Sequence, residues 1–259
     1  LRRAGASKGL SQLILKQIKS TIYPGISSSV IYESAYELLR EHSNRHAGRY
    51  KLKQAILELG PSGFPFEEFV AELLKSDGYK TEQNLNLRGR CVRHEVDVKG
   101  EKEGQMLLIE CKYHGQRGQK SDVKTALYVK ARFQDIEEQL QSESPKDGKH
   151  FEPWLVTNTR FSDDAARFGQ CSGMHLVAWD HPEIGSLKDM VEKSGLYPIT
   201  CLSTINKREK GKLLNAKIVL CREIIADPIH LDKVGIKGDR KRRVLEEAEK
   251  LLKKAENGN

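Results

Sequence analysis

Two runs of sequence decide the fold: Cys91-Val92-Arg93-His94-Glu95-Val96-Asp97-Val98 and, shortly after, Gln105-Met106-Leu107-Leu108-Ile109-Glu110-Cys111-Lys112-Tyr113. Both are short, β-branched or apolar, and broken by glycine, so both read as strands, with Lys99–Gly104 as the turn between them. Alternate residues of a strand share a face. Glu95 and Asp97 therefore lie together, opposite Val92, Val96 and Val98. In the second run Leu108, Glu110 and Lys112 share one face, and Leu107, Ile109 and Cys111 the other. Burying strands this apolar brings Asp97, Glu110 and Lys112 into a partly enclosed space. Charges there are costly unless they are paired or bound to a metal.

Two carboxylates on neighbouring strands suit a hard divalent cation, and Mg²⁺ typically uses one or two carboxylates plus waters and phosphate. A lysine two residues beyond a carboxylate sits about 7 Å along the strand, and its flexible stem can reach a water or a scissile phosphate. The set suits metal-assisted phosphodiester hydrolysis, in which charge on the phosphate must be offset. The plainer reading is an ordinary hairpin with a charged outer face. Three neighbours weigh against it. In the helix expected from Pro65 to Asp77-Gly78, the apolar stripe centres near Phe66 and Leu73, which puts Glu67 at its edge and turns Glu68 and Glu72 away. The segment Tyr113–Lys120 is glycine-rich and basic, as a phosphate-contacting loop would be. The third neighbour is the distribution of charge.

The 259 residues carry a net +8. Residues 1–60 hold 10 Lys/Arg and 4 Asp/Glu, residues 61–200 hold 19 and 23, and residues 201–259 hold 15 and 9. An acidic middle between two basic flanks fits a cation site set between phosphate-attracting surfaces. Three domains are expected. Residues 1–60 read as helices around Leu10–Ile18, Val30–Leu39 and Leu52–Leu59, ending at Gly60-Pro61. Residues 61–185 run helix, two strands, a helix capped by Ser121, a strand at Trp154–Thr157, a helix after Ser162 and a strand at His175–Trp179. That order gives an α/β core with a mixed sheet. Residues 186–259 read as helical and basic, with Arg240-Lys241-Arg242-Arg243 opening the last helix.

Phe66-Glu67 through Gly78-Tyr79, then Glu95-Val96-Asp97-Val98, then Ile109-Glu110-Cys111-Lys112, resembles the PD-(D/E)XK nuclease fold, in particular the catalytic domain of Mrr-type restriction endonucleases. Archaeal Holliday-junction resolvases share that core. The stretch Leu155–Ser162, with Ala165 and Ala166, resembles the Mrr pattern of strand, Phe-Ser and helix. The resemblance covers roughly residues 61–185. It implies Asp97 and Glu110 as metal ligands, Lys112 as the catalytic lysine and Glu67 as a helix glutamate supporting the site. Glu95-Val96 stands where Gly-x is usual, which leaves open a role for Glu95 as a further ligand. Leu1–Ser7, Ile31-Tyr32 and Arg49-Tyr50-Lys51-Leu52 are similar to the carboxy-terminal part of an ATP-cone, a nucleotide-binding regulatory module, which implies ATP or dATP as a ligand.

The expected activity is thus a Mg²⁺- or Mn²⁺-dependent endonuclease of restriction or repair type acting on double-stranded DNA. The alternative is a nucleotide- or DNA-sensing binding module with a silent core. Cutting both strands calls for two active sites, so a homodimer is expected. Lys120, Arg240, Lys241, Arg242 and Arg243 are the candidate DNA-backbone contacts. No Walker A loop, G-x-G-x-x-G or G-x-S-x-G is present. His42 and His46, four apart, lack a third ligand. Five scattered cysteines without a CxxC pair point away from a disulfide framework and toward a reducing cytoplasm. The longest apolar runs fall far short of the ~18 residues a membrane helix needs. Leu1 falls in mid-pattern, so the natural start is expected upstream.

Overall fold

The computed structural model describes residues 1–4, 6–143 and 150–252; Gly5 of the amino-terminal stretch and residues 253–259 of the expected third domain lie outside them. The chain opens with α1 (Lys8–Lys19), α2 (Ser28–His42), α3 (Asn44–Tyr50) and α4 (Leu52–Leu57). Next come α5 (Phe64–Ser76), β1 (Lys80–Arg88), β2 (Arg93–Lys102), β3 (Gln105–Lys112), β4 (Lys120–Ser121) and α6 (Val123–Glu143). Then follow β5 (His150–Thr157), β6 (Arg160–Phe161), α7 (Asp163–Ser172), β7 (His175–Val177) and α8 (Leu187–Ser194). Four helices finish the chain: α9 (Lys207–Asn215), α10 (Cys221–Ala226), α11 (Ile229–Lys233) and α12 (Gly238–Leu252). Among the described residues no helix is long and apolar enough to cross a membrane.

The sequence suggests three domains, but the chain forms two compact units. Residues 1–56 join residues from 197 onward in one unit, and residues 57–196 make the other. The flanks meet through α12, which packs on α3 of the first flank as well as on α10 of the last. Ile14, Ile18, Tyr36, Leu39 and Ala47 form one small core. Gly48 leaves only enough room for the Leu251 methyls. Thr200 Oγ1 donates to the carbonyl of Ala55 at 2.7 Å. The buried Glu247 carboxylate accepts hydrogen bonds from the backbone N–H and hydroxyl groups of both Ser203 and Thr204.

The second unit is a five-stranded mixed sheet in the order β1-β2-β3-β5-β7. β1, β2 and β3 are antiparallel neighbours, whereas β3, β5 and β7 run parallel. β3 is the central strand, and Met106 through Ile109 are all buried. Both of its faces are therefore covered, as the unbroken apolar run predicts. Ala126, Val129, Phe133 and Ile136 of α6 and Ala165 of α7 share a core with Met106, Leu108 and Leu155. α5 packs against β1, β2 and β3. Burying each of these large side chains contributes about 1.5–3 kcal/mol.

Several local readings change. β2 runs on to Lys102, and the connection to β3 is only Glu103-Gly104. Both residues have positive φ, 50° and 81°, which is the geometry that lets a two-residue turn follow the strand twist. β1 escapes a hydrophobic reading because only Leu85 and Leu87 along it are apolar. α6 is capped by Asp122, whose Oδ1 accepts the N–H of Thr125 at 3.0 Å. Ser121, the expected cap, is instead in β4 with its hydroxyl 3.0 Å from His114 Nε2. α7 follows Ser162 as expected, and the Ser162 hydroxyl caps it, accepting from Ala165 N at 3.2 Å.

Candidate active site

The β2–β3 ladder runs from the hairpin turn to the pair Val98↔Ile109 and stops there. Beyond that point the strands part. β3 continues alongside β5 through Glu110↔Leu155 and Lys112↔Thr157, while β2 stays with β1 through Asn86↔Glu95 and Arg88↔Arg93. In the fork, Asp97 Oδ2 accepts the Cys111 N–H at 2.7 Å. A carboxylate thus takes the place of the missing ladder bond and satisfies a backbone donor that would otherwise be orphaned. Glu110 lies on the other arm of the fork and is joined at 2.9 Å to Arg132 of α6. The same guanidinium donates to the carbonyl of Glu95 and lies over the Tyr128 ring, 5.2 Å from its centroid. Arg132 therefore spans the fork.

The carboxylates disturb one another. Burial and then the negative charge of Asp97 push the Glu110 carboxyl up, with Arg132 acting against them. Burial also raises Asp97, partly offset by the Cys111 N–H. Glu67 on α5 is half-buried and makes no hydrogen bond or ion pair among the described residues. Burial first, then Asp97, Glu110 and Glu95, push its carboxyl up to about 7. A carboxyl raised above its ordinary 4.5 binds more protons folded than unfolded. Its contribution to stability is therefore full below 4.5 and is lost as pH rises through about 7. Glu67→Gln should then melt higher than wild type at pH 8 and equally at pH 4, in chelator. The gain should be on the order of 1–2 kcal/mol after allowance for solvent screening. Identical melting curves at pH 8 would rule out this crowding of charge.

Of the residues singled out in the sequence, Asp97 and Glu110 stand on the two arms of the fork, Glu67 of α5 is near enough for their charges to raise its carboxyl, and Lys112 ends β3. Lys112 is exposed, and its ammonium makes no hydrogen bond or ion pair among the described residues. Its positive charge is felt by Asp97, Glu110 and His114. The segment after it is held tightly. Thr157 Oγ1 donates to the Lys112 carbonyl at 2.8 Å. The fully buried Asn158 accepts from His114 N at 2.8 Å and donates to its carbonyl at 2.9 Å. Glu95 is exposed. Arg132, Thr157 and Asn158 do not stand out in the sequence. Arg132 is one cation among many on a long helix. Asn158 belongs to the stretch that resembles the Mrr pattern, but nothing in its spacing shows that it clamps a neighbouring strand.

The candidate DNA contacts divide. Lys120 is exposed on β4. Arg240 is taken up within its own unit, holding both Glu209 oxygens at 2.5 and 2.7 Å and the carbonyl of Thr204 at 3.2 Å. Lys241 pairs with Asp232 at 2.6 Å, and Arg242 pairs with Glu246 at 2.7 Å and Asp239 at 3.3 Å. These three tie α12 to its neighbours or to itself, so the run is spent largely on internal pairing. Arg243 is exposed and makes no ion pair among the described residues.

Among the described residues no three His, Cys, Asp or Glu side chains already converge as a closed metal cage. Asp97 and Glu110 offer hard oxygens, and Glu67 stands unpartnered beside them with its charge opposed. An open, oxygen-only pair of carboxylates fits Mg²⁺ or Mn²⁺, which complete their shells with water and substrate phosphate. It does not fit zinc, which prefers closed sets of nitrogen and sulfur.

A curated protein of Archaeoglobus fulgidus, described only as uncharacterized, is 36% identical over 186 residues, 71% of this chain and 99% of its own length. The crystal structure of AF1548, a protein of unknown function, superposes with a TM-score of 0.60 at 33% identity, covering 74% of this chain and 98% of that one. Residues 197–252 match the family described as AF1548-like, C-terminal. The chain belongs to the AF1548-like family. Within it, residues 60–187 match the Mrr catalytic family, described as restriction endonuclease. The forked mixed sheet of this AF1548-like chain is accordingly a restriction-endonuclease-like domain. The MspJI restriction endonuclease, solved with a 27-mer oligonucleotide, superposes at a TM-score of only 0.37 with 14% identity, over 87% of this chain and 43% of that one. That likeness is too distant to weigh.

Proposed function

We propose that this chain is a divalent-metal-dependent DNA endonuclease of restriction or repair type. The observation that supports it most is the fork: Asp97 and Glu110 stand on its two arms where the β2–β3 ladder stops, Glu67 lies near enough to feel both charges, and the Lys112 ammonium makes no ion pair among the described residues. Asp97 and Glu110 would hold Mg²⁺ or Mn²⁺, with Glu67 in support. The metal, when bound, supplies Lewis-acid activation of a water and neutralises charge on the phosphate. Lys112 holds a positive charge where negative charge develops during cleavage, and Thr157 and Asn158 fix the backbone from which it projects. The substrate is double-stranded DNA, cut by a homodimer in the cytoplasm, where free cysteines are stable.

Supercoiled plasmid, methylated and unmethylated, should be nicked in Mg²⁺ or Mn²⁺ and left intact in EDTA. Plasmid that stays supercoiled with every metal and either methylation state would replace this reading with that of a non-catalytic DNA- or nucleotide-sensing module.

A further inference from the structure

Between β1 and β2 the chain reads Arg88-Gly89-Arg90-Cys91-Val92-Arg93, three arginines and no acid inside the otherwise acidic middle of the sequence. We infer that this hairpin tip is the element that engages the grooved face of duplex DNA beside the cleavage site. This rests on the endonuclease reading above and goes further by naming the contact.

The tip is held rigidly. Asp135 of α6 accepts the Cys91 N–H at 2.9 Å and the Val92 N–H at 3.3 Å, His94 Nε2 lies 2.7 Å from it, and the Cys91 thiol also bonds to it. The Arg90 N–H donates to the Asp135 carbonyl at 2.9 Å, and the Gly89 N–H to the Val92 carbonyl at 2.8 Å. A Cβ on Gly89 would collide with the Asp135 carboxylate, so only glycine fits. Burial pushes the Asp135 carboxyl up, but the His94 and backbone bonds outweigh it and hold the group down at about 2. The clamp therefore stays charged across the working range of pH.

What this clamp presents is unusual for a free surface. Val92, at the apex, is 60% exposed. Arg88, Arg90 and Arg93 are exposed on the same turn; Arg93 rests on the Asn86 side chain and carbonyl at 3.3 and 3.4 Å, and Arg90 pairs at 3.2 Å with Glu138, itself 40% exposed. An apolar tip ringed by arginines fits a nucleic-acid groove, where the cations meet phosphates and the apolar group meets base edges. A protein partner of matching acidity would leave the ring satisfied but would give the valine no defined slot.

Position favours the same partner. Arg93 opens β2, and Asp97 lies four residues along it, about 13 Å away at the rise of an extended strand. That is on the order of the width of a DNA groove. One helix fixes both features: Arg132 of α6 reaches the fork and Asp135, one turn on, clamps the tip. The tip thus has a set distance from the carboxylates, and a duplex seated on it is held in register with them.

The test uses the full chain and a fluorescently labelled 25-base-pair duplex in EDTA, with binding read by anisotropy across a salt series. Arg88, Arg90 and Arg93 changed together to Gln should weaken binding tenfold or more and lower the salt slope by about 2–3, near one for each phosphate no longer neutralised. Val92→Ser should weaken binding by about threefold to tenfold with the slope unchanged, because every phosphate keeps its cation. Arg167→Gln, an exposed arginine of the same unit that is already paired with Asp164, should bind as wild type. If wild type binds and nicks while the tip variants bind equally well, the hairpin assignment falls and the endonuclease reading stands. If the tip variants lose no more than Arg167→Gln does, the assignment falls likewise. Wild type that neither binds duplex nor nicks plasmid overturns both.

Discussion

Lys112→Ala should fold and bind duplex DNA as wild type does, yet cut it 10²–10³ times more slowly. The magnitude is that of removing one preorganised positive donor from a site where charge develops. The side chain is exposed and makes no hydrogen bond or ion pair among the described residues. Its loss therefore breaks nothing in the fold. The backbone it leaves behind is still anchored through the Thr157 hydroxyl on the Lys112 carbonyl. An interaction that matters chiefly in the transition state is lost from the rate and not from ground-state affinity. Lys112→Arg should not rescue, because the planar guanidinium spreads its charge over a larger, rigid fork. Plasmid nicking measured beside anisotropy on the same preparations separates rate from binding. Equal nicking by wild type and Lys112→Ala would remove Lys112 from the chemistry.

Much of this site is legible in the sequence because it rests on short-range rules. Strand alternation puts Asp97 and Glu110 on neighbouring strands, and helix phase separates Glu67 from Glu68 and Glu72. What is not legible depends on partners distant in sequence. The fork opens where the β2–β3 ladder ends at Val98↔Ile109 while β3 stays paired with β5 along its other edge, and that pairing, Glu110↔Leu155, spans forty-five positions. Arg132, Asn158 and Asp135 act through bonds to residues between 22 and 44 positions away. No local pattern reveals these. The three-domain division fails for the same reason. Residues 1–60 and 186–259 each read as self-contained helices, but Thr200 reaches Ala55 across 145 positions. The basic run Arg240–Arg242 shows a related limit. Charge in sequence marks where cations are, while the carboxylates of Glu209, Asp232 and Glu246 decide whether those cations remain available.

Asp97→Asn should abolish divalent-metal binding and cleavage together while leaving the protein folded. Asparagine keeps a carbonyl oxygen where Asp97 Oδ2 receives the Cys111 N–H, so the backbone donor in the fork still has an acceptor. Only the charge goes. Of the two central carboxylates Asp97 is the more telling one to change, because Glu110 is already paired with Arg132 at 2.9 Å and its variants would also release that guanidinium. Changing groups behind metal ligands typically costs 10–100-fold in affinity, so losing a ligand itself should cost at least on the order of 100-fold. Titration calorimetry with Mn²⁺, with and without uncut duplex, reads this without relying on turnover. A second consequence follows from electrostatics. Asp97 is the largest of the charges that raise Glu67 toward 7. Neutralising it should return the Glu67 carboxyl toward its ordinary range, and the loss of stability between pH 4.5 and 7 should shrink. An unchanged profile would show that the two carboxylates do not interact. Metal bound equally by wild type and Asp97→Asn would take the cation site away from the fork altogether.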